Sequence, residues 1–422
     1  MVAATVARPG VNMTADAKIV LHHVGGRWGN HGFPRLPAFA GDFIEVLYEA
    51  DADAIAAIHQ ARKGQPGELI VVAACLADID GEALLHIYNN PGLTSLREFG
   101  PALACRYQNK FGIDFDFGAD GARLLERRKV ATRRLDGLVA APDAPCPPPD
   151  FLSLDTQASE YEILVGARDA LAGGICGLIV EVEFGEVYRG QKRFQDIHDL
   201  LDAAGFDFVR FLSLGETADA APLGFRGSGY QGQADALFLR RIDRLPSGEA
   251  QRTAMLIKLC FFALAFGVVE LAVQCMAALR GADVPQTATY QRFIAACRDC
   301  YERDAKLFPP RFSTVLPRQR TADYAAAAGP GQWPEILEGL RQFDDAYLRA
   351  LKRYRARADS EFETLLRRHG FSEVAARVKR TRRREARDIM RAISTAQGRP
   401  PRLRAVLRET NKTIRRVIFG AS

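Results

Sequence analysis

The chain has 422 residues, a net charge of +6 and 26% charged residues, which excludes a fibrous or wholly disordered protein and leaves room for two or three domains. Its eight cysteines are scattered without a dense framework. That pattern excludes a disulfide-stapled scaffold and fits reduced thiols in a cytoplasmic protein. From Arg367 to Arg416 there are 17 Lys or Arg against 4 Asp or Glu, so a basic tail follows a net acidic body.

Residues 1–18 lack a charged start, an apolar run and a small-residue cleavage site, and read as a flexible terminus rather than a signal peptide. From there to about residue 245, apolar strand-like runs alternate with helix-like stretches, the pattern of a parallel sheet covered by helices. Strands are expected at Ile19 to Val24, Phe43 to Tyr48, Leu69 to Cys75, Phe151 to Leu154, Gly177 to Glu183, Phe208 to Leu212 and Ala236 to Leu239. Seven strands complete a doubly wound α/β sheet. Between the third and fourth, GEALLHIYNNPGLTSL alternates and then turns at Asn-Asn-Pro-Gly, which predicts a hairpin-like excursion above the sheet. The segment APDAPCPPPD is a stiff surface connector, because proline neither continues a helix nor donates within a ladder.

After residue 245 the strand signals stop, and residues 246–422 read as a helical C-terminal domain whose basic part covers about 366–422. The apolar run from Leu259 to Val269 is bounded by Lys258 and Glu270 and is too short to span a bilayer, so it predicts a buried helix. Cys297 and Cys300 form a CxxC inside a helical pattern, with no second pair or histidines to make a metal site, and no metal is expected. Apolar residues from Trp333 to Tyr354 recur at three and four, as do those from Leu403 to Ile418, which predicts amphipathic helices.

The first strand runs into HVGGRWGN, which places Gly25, Gly26 and Gly29 at a strand-to-helix turn where backbone can approach a ligand. About 20 residues on, the second strand ends at Glu49, where an acid can accept hydrogen bonds from both ribose hydroxyls. Together they point to an adenosine-containing cofactor. A dinucleotide fold wants G-x-G-x-x-G and a helix N-terminus for its pyrophosphate. Here Val24 stands at the first glycine position and HGFPRLP breaks the helix, so the sequence leans toward S-adenosylmethionine, which carries no phosphate.

The runs DFLSLDTQASEYEILVGA and GLIVEVEFGEVYRGQKRFQDIHDLLDAAGFDFVRF, with YEAD, LADIDG and GLTSL before them and QADALFLR after, resemble the FkbM family of S-adenosylmethionine-dependent methyltransferases. The resemblance covers about 220 residues with the motifs in order. It implies a class I methyltransferase Rossmann-like fold, a seven-stranded sheet over 19–245, and transfer to oxygen on sugars or other secondary metabolites. It assigns Gly25, Gly26 and Gly29 to the glycine loop, Glu49 to the ribose and Asp78 to the neighbourhood of adenine. Asp155, Thr156, Gln157 and Glu160 match the motif after the fourth strand. His23 stands where the family commonly has an acid.

A sulfonium methyl is already activated, so transfer gains most from holding the acceptor oxygen in line and from removing its proton. Asp155 is the first candidate for that base, followed by His23, Glu181 and Glu183, while Gln157, Glu160 and Tyr188 are candidates for binding the acceptor. Each also has a plain structural reading. Asp155 suits a helix N-cap. Glu181 and Glu183 share one strand face and could be paired there, and Tyr188 could close a turn. His22, His86 and His198 show no triad or metal spacing.

The basic tail reads first as a solvated helix face docked on the acidic body, then as a site for an anionic membrane surface or glycan carrier. The absence of interleaved aromatics argues against nucleic acid. The expected protein is a cytoplasmic O-methyltransferase, peripheral to the membrane if the tail holds lipid, with a saccharide or similar polar acceptor; the helical region would shape the acceptor site or a homo-oligomer interface. The alternative is a non-catalytic scaffold that keeps the fold and holds an anionic partner.

Overall fold

The computed structural model describes residues 18–279 apart from 26–31, 35, 51, 65–66, 101–105, 111–112, 117–119 and 220–228, and beyond 279 only scattered positions at 282, 291 and 295 and between 363 and 376. The chain divides into two compact units, one of Met1–Ala263 with Gln274–Ile294 and the other of Leu264–Val273 with Ala295–Ser422. Nearly all the described residues belong to the first. The expected helices at 333–354 and 403–418, the CxxC at Cys297 and the basic tail after Arg377 lie outside the described residues.

In chain order the elements are β1 (Ile19–Val24), β2 (Phe43–Tyr48), α1 (Ala52–Arg62), β3 (Glu68–Val72), β4 (Cys75–Leu76), β5 (Gly81–Tyr88), β6 (Arg106–Lys110), β7 (Ile113–Asp116), β8 (Leu124–Arg133) and α2 (Leu135–Ala140). They continue with β9 (Phe151–Leu154), α3 (Glu160–Val165), α4 (Arg168–Gly173), β10 (Gly177–Glu183), α5 (Phe194–Ala203), β11 (Phe206–Asp219), β12 (Tyr230–Arg240), α6 (Glu249–Ala265) and α7 (Val269–Ala278).

All seven expected strands are present and lie in one sheet in the order β3-β2-β1-β9-β10-β12-β11, which the β6–β7 hairpin extends to nine strands at the β11 edge. The first five run parallel and β12 is antiparallel to both neighbours. Central strands β1 and β10 are buried at every position, as strands covered on both faces must be, and their near-continuous apolar runs made them legible. Strand order reverses between β1 and β9, which opens a crevice at the carboxyl ends of these strands. The excursion after β3 is larger than a hairpin. Strands β4, β8 and β5 form a second, three-stranded sheet, and Pro91–Leu93 makes a single 3₁₀ turn at its tip.

One core fills the helical face of the sheet: Val20, Val46, Leu152, Val180 and Phe238 meet Ile163 and Leu164 of α3, Leu171 of α4 and Leu201 of α5. Against the other face, Phe262 of α6 packs edge-on with Phe33 and tilted on Phe151, and Phe261 edge-on with Phe39, at ring separations of 5.0–6.1 Å. This part of the expected apolar run is a buried helix. Lys258 on the same helix lies 2.6 Å from Asp150 Oδ1, while Asp150 Oδ2 accepts the Val20 N–H at 2.9 Å. Both charges are nearly buried, so each makes the other tolerable. Among the described residues no helix is long and apolar enough to cross a membrane.

Candidate active site

At the carboxyl ends of β1, β2, β9 and β10 lies a cleft of about 580 Å³. Gly25 follows β1 with φ +93°, and a Cβ placed on it would come 1.9 Å from the Asp155 carbonyl oxygen. Only glycine permits that approach. The Asp155 N–H in turn donates to the Val24 carbonyl at 3.1 Å, so the ends of β1 and β9 are locked side by side.

The floor at β2 is held from beneath. Burial lowers the His22 pKa to about 3, so its ring is neutral: Nε2–H donates to the Pro147 carbonyl at 2.8 Å and Nδ1 accepts from the Tyr48 hydroxyl at 3.0 Å. The Tyr48 oxygen is left to accept from the Cys146 thiol at 3.3 Å. The proline-rich connector is therefore anchored beneath the residue that precedes Glu49. Glu49 donates its own N–H to the Val72 carbonyl at 3.2 Å, and its side chain lines the cleft.

The other wall turns on residues 155–160. Gln157 and Ala158 have φ of +59° and +81°, a left-handed conformation unusual for residues with a Cβ. The Gln157 Nε2 amide donates both its protons, to Asp155 Oδ1 at 2.9 Å and Glu181 Oε2 at 2.7 Å. Its Oε1 lies 3.2 Å from the Tyr188 hydroxyl, whose one proton it shares with the Leu93 carbonyl at 3.0 Å. The second Glu181 oxygen accepts from Gln233 Nε2 at 3.1 Å. Asp235 is paired in register with Glu181 across β10 and β12, and accepts from the Ser213 hydroxyl at 2.5 Å. Glu160 is 1% exposed and takes the Thr156 N–H at 2.6 Å and hydroxyl at 3.0 Å. Burial, with Asp155 nearby, raises its pKa to about 7.

The structure brings Gly25, Glu49, Asp155, Gln157 and Glu183 to the cleft wall. His23 does not reach it. It is buried within β1 with Nε2 3.2 Å from the Gly25 carbonyl, on the sheet face opposite that of Val24, which lines the cleft. Glu181, Glu160 and Tyr188 are also buried behind the wall, where they hold Gln157 and Thr156, and none of the three lines the cleft. Asp78 is exposed on the turn after β4 and lies outside the lining; its neighbour Asp80 accepts the Arg134 N–H at 2.8 Å. Gly26 and Gly29 lie outside the described residues.

Sequence reasoning missed Asp235 and Gln233 of β12, and Cys75, Asn89, Asn90, Thr94 and Ser95 of the excursion, all of which line the cleft. The alternating polar side chains Gln231, Gln233 and Asp235 ahead of the apolar end of β12 were the available signal.

Residues 68–208 match the family described as the methyltransferase FkbM domain, so the resemblance holds over that segment. Comparison with curated proteins finds no match. Among solved structures, the methyltransferase FkbM from Methylobacillus flagellatus KT is 13% identical with a TM-score of 0.25, over 53% of this chain and 44% of the other. A Streptococcus pneumoniae protein described as a candidate tRNA (m1A22) methyltransferase is 11% identical with a TM-score of 0.23, over 68% of this chain and 95% of the other. The chain thus spans less than half the length of the first of these.

Proposed function

On the premise that residues 68–208 carry an FkbM methyltransferase domain, we propose that this chain is an S-adenosylmethionine-dependent O-methyltransferase acting on a hydroxyl of a saccharide or similar polar metabolite. One observation carries the reading. Glu49, Asp155, Glu183 and Asp235 line the cleft, and among the described residues no Lys, Arg or His does. An acidic, low-dielectric cleft concentrates cations and repels phosphates. It therefore fits a sulfonium cofactor and disfavours a dinucleotide. Apolar Leu76, Leu85 and Ile87 on the same lining offer a surface for an adenine ring, and in this reading Glu49, which lines the cleft at the end of β2, accepts the ribose hydroxyls.

The cofactor supplies an activated methyl group. What the chain must do is hold the acceptor and take its proton. Asp155 is the base in this reading, because it lines the cleft and its Oδ1 is fixed by the Gln157 amide. Glu183 and Asp235 hold neighbouring acceptor hydroxyls, and Asn89, Asn90, Thr94 and Gln233 add the neutral amides and hydroxyls that suit a polyhydroxylated acceptor.

Titration calorimetry with S-adenosylmethionine tests the reading. The full chain is expected to bind it, and Glu49→Ala to weaken binding about 100-fold, as losing a charged acceptor for two hydroxyls predicts. No binding by the unaltered protein, or a melting temperature raised by NAD instead, overturns it. Transfer of labelled methyl from the cofactor to a panel of neutral sugars checks the acceptor class.

A further inference from the structure

We propose that Ser95 and Arg97 are positioning residues: they clamp the left-handed Gln157–Ala158 backbone so that the Gln157 amide stays seated between Asp155 and Glu181. The inference rests on the reading above only in taking this cleft as the reaction site.

Residues with a Cβ stay in the left-handed region only where their surroundings over-determine them. Here each of the two consecutive left-handed residues has its carbonyl held by one member of the pair. The Ser95 hydroxyl donates to the Gln157 carbonyl at 2.5 Å, and Arg97 Nε donates to the Ala158 carbonyl at 3.0 Å. The pair is itself braced, because the Arg97 N–H donates to Ser95 Oγ at 3.0 Å.

The rest of the guanidinium reaches two further segments. Nη1 donates to the Gly190 carbonyl at 3.0 Å and the Arg189 carbonyl at 3.3 Å, and Nη2 pairs with Glu162 of α3 at 2.5 Å. A planar fork serves carbonyls on several segments at once, and a lysine point charge does not. Around them the backbone is tied to β5 through reciprocal His86 and Ser95 bonds of 2.8 and 3.2 Å, and to the Tyr188 loop through Gly100 and Val187 at 2.7 Å.

The position of Gln157 in turn decides which carboxylate oxygens are occupied. Its two amide protons fix one oxygen each of Asp155 and Glu181. Ser95 lines the cleft from the excursion while holding the segment that carries Asp155. The seating of that excursion and the geometry of the base are therefore one arrangement.

The test compares the full-length protein with Arg97→Gln, Arg97→Lys, Ser95→Ala, Ala158→Gly and the Arg97→Gln/Ala158→Gly double variant. Glycine adopts positive φ without being held. Arg97→Gln should lower the melting temperature by about 5 °C or more. Ala158→Gly should leave it unchanged or raise it, and the double variant should recover at least half the loss beyond any gain that Ala158→Gly gives alone. In protein labelled with ¹⁵N-glutamine, the Gln157 side-chain amide, identified by its loss in Gln157→Leu, should move toward solvent-averaged positions in Arg97→Gln and return in the double variant.

Simple addition of the two melting shifts, or an unmoved Gln157 signal in Arg97→Gln, overturns the clamp. So does an Arg97→Lys protein that matches the unaltered one in both readouts, since a lone ion pair to Glu162 would then suffice. Ser95→Ala keeps the ion pair and decides in the same way, by its melting temperature and its Gln157 signal, if Arg97→Gln fails to fold. S-adenosylhomocysteine titrated into the unaltered protein reports on the cofactor reading separately, because melting and amide signals need no ligand.

Discussion

At the Glu49 end of the cleft the wall is made of backbone and of single residues at strand ends, whereas at the Gln157 end it is made of side chains drawn from several distant segments. Gly25 meets Asp155 through main chain alone, and Glu49 follows directly from where β2 stops. Gln157, by contrast, is placed by Asp155, Glu181 and Tyr188, and its backbone by Ser95. A backbone-built wall fails all at once when a Cβ is added. A wall built from hydrogen bonds loses its parts one at a time, and pH enters through them.

Gly25→Ala should therefore have the largest effect. Its Cβ would fall 1.9 Å from a carbonyl oxygen and its φ of +93° disfavours any Cβ, so a loss of more than about 4 kcal/mol is expected, seen as failure to give a cooperative melt. A stable Gly25→Ala protein would mean that the two strand ends can part, and the contrast would collapse.

Next comes Glu160. Its folded pKa, raised to about 7 from an ordinary 4.5, means that the folded state holds the proton more tightly than the unfolded one. Its stabilising contribution is thus complete below about pH 4.5 and is lost as pH rises through 7. Glu160→Gln keeps an acceptor for Thr156 and removes the titration. Relative to the unaltered protein, the variant should gain about 3 kcal/mol between pH 4.5 and 8 in denaturant titrations. His22 acts in the opposite direction: its pKa is lowered to about 3, and its contribution is lost as pH falls below 6.5, so the comparison must be made between the two proteins at each pH.

The smallest effect belongs to Tyr188→Phe. Deleting one buried hydroxyl that faces the Leu93 carbonyl and Gln157 Oε1 should cost about 1–2 kcal/mol in a denaturant melt. A cost equal to that of Gly25→Ala would show the hydrogen-bonded wall to be as indivisible as the backbone one.

The same contrast explains what could be read in advance. The seven sheet strands were legible because buried strands carry largely apolar runs, and Gly25, Glu49 and Asp155 because each sits where such a run ends. Strand ends were less so: β11 runs for 14 residues and β12 for 11, since their outer portions pair beyond the apolar stretch. The Asn-Asn-Pro-Gly turn announced the excursion, but nothing local told that β4, β5 and β8 would close into their own sheet. Glu181 and Glu183 share a face, as their spacing required, yet only Glu183 lines the cleft. Which of the two is covered depends on Gln157 and Gln233, and that register is set by antiparallel pairing about 50 residues away. His23 near the end of β1 and Tyr188 in the loop after β10 are buried behind the lining for a related reason, because a polar side chain there can serve the inside of the wall as well as its surface.

The Lys258 and Asp150 pair has a consequence for how this unit opens. One Asp150 oxygen takes the lysine of α6 and the other takes the Val20 amide of β1, a central strand. If α6 lifts from the sheet, Asp150 is left as a nearly buried charge without its cation, and the cheapest relief is for water to enter where Val20 is held. Hydrogen exchange at Val20 should then follow the opening of α6 rather than that of the whole sheet, so that the helix after the last strand and the first strand of the chain exchange as a single cooperative element.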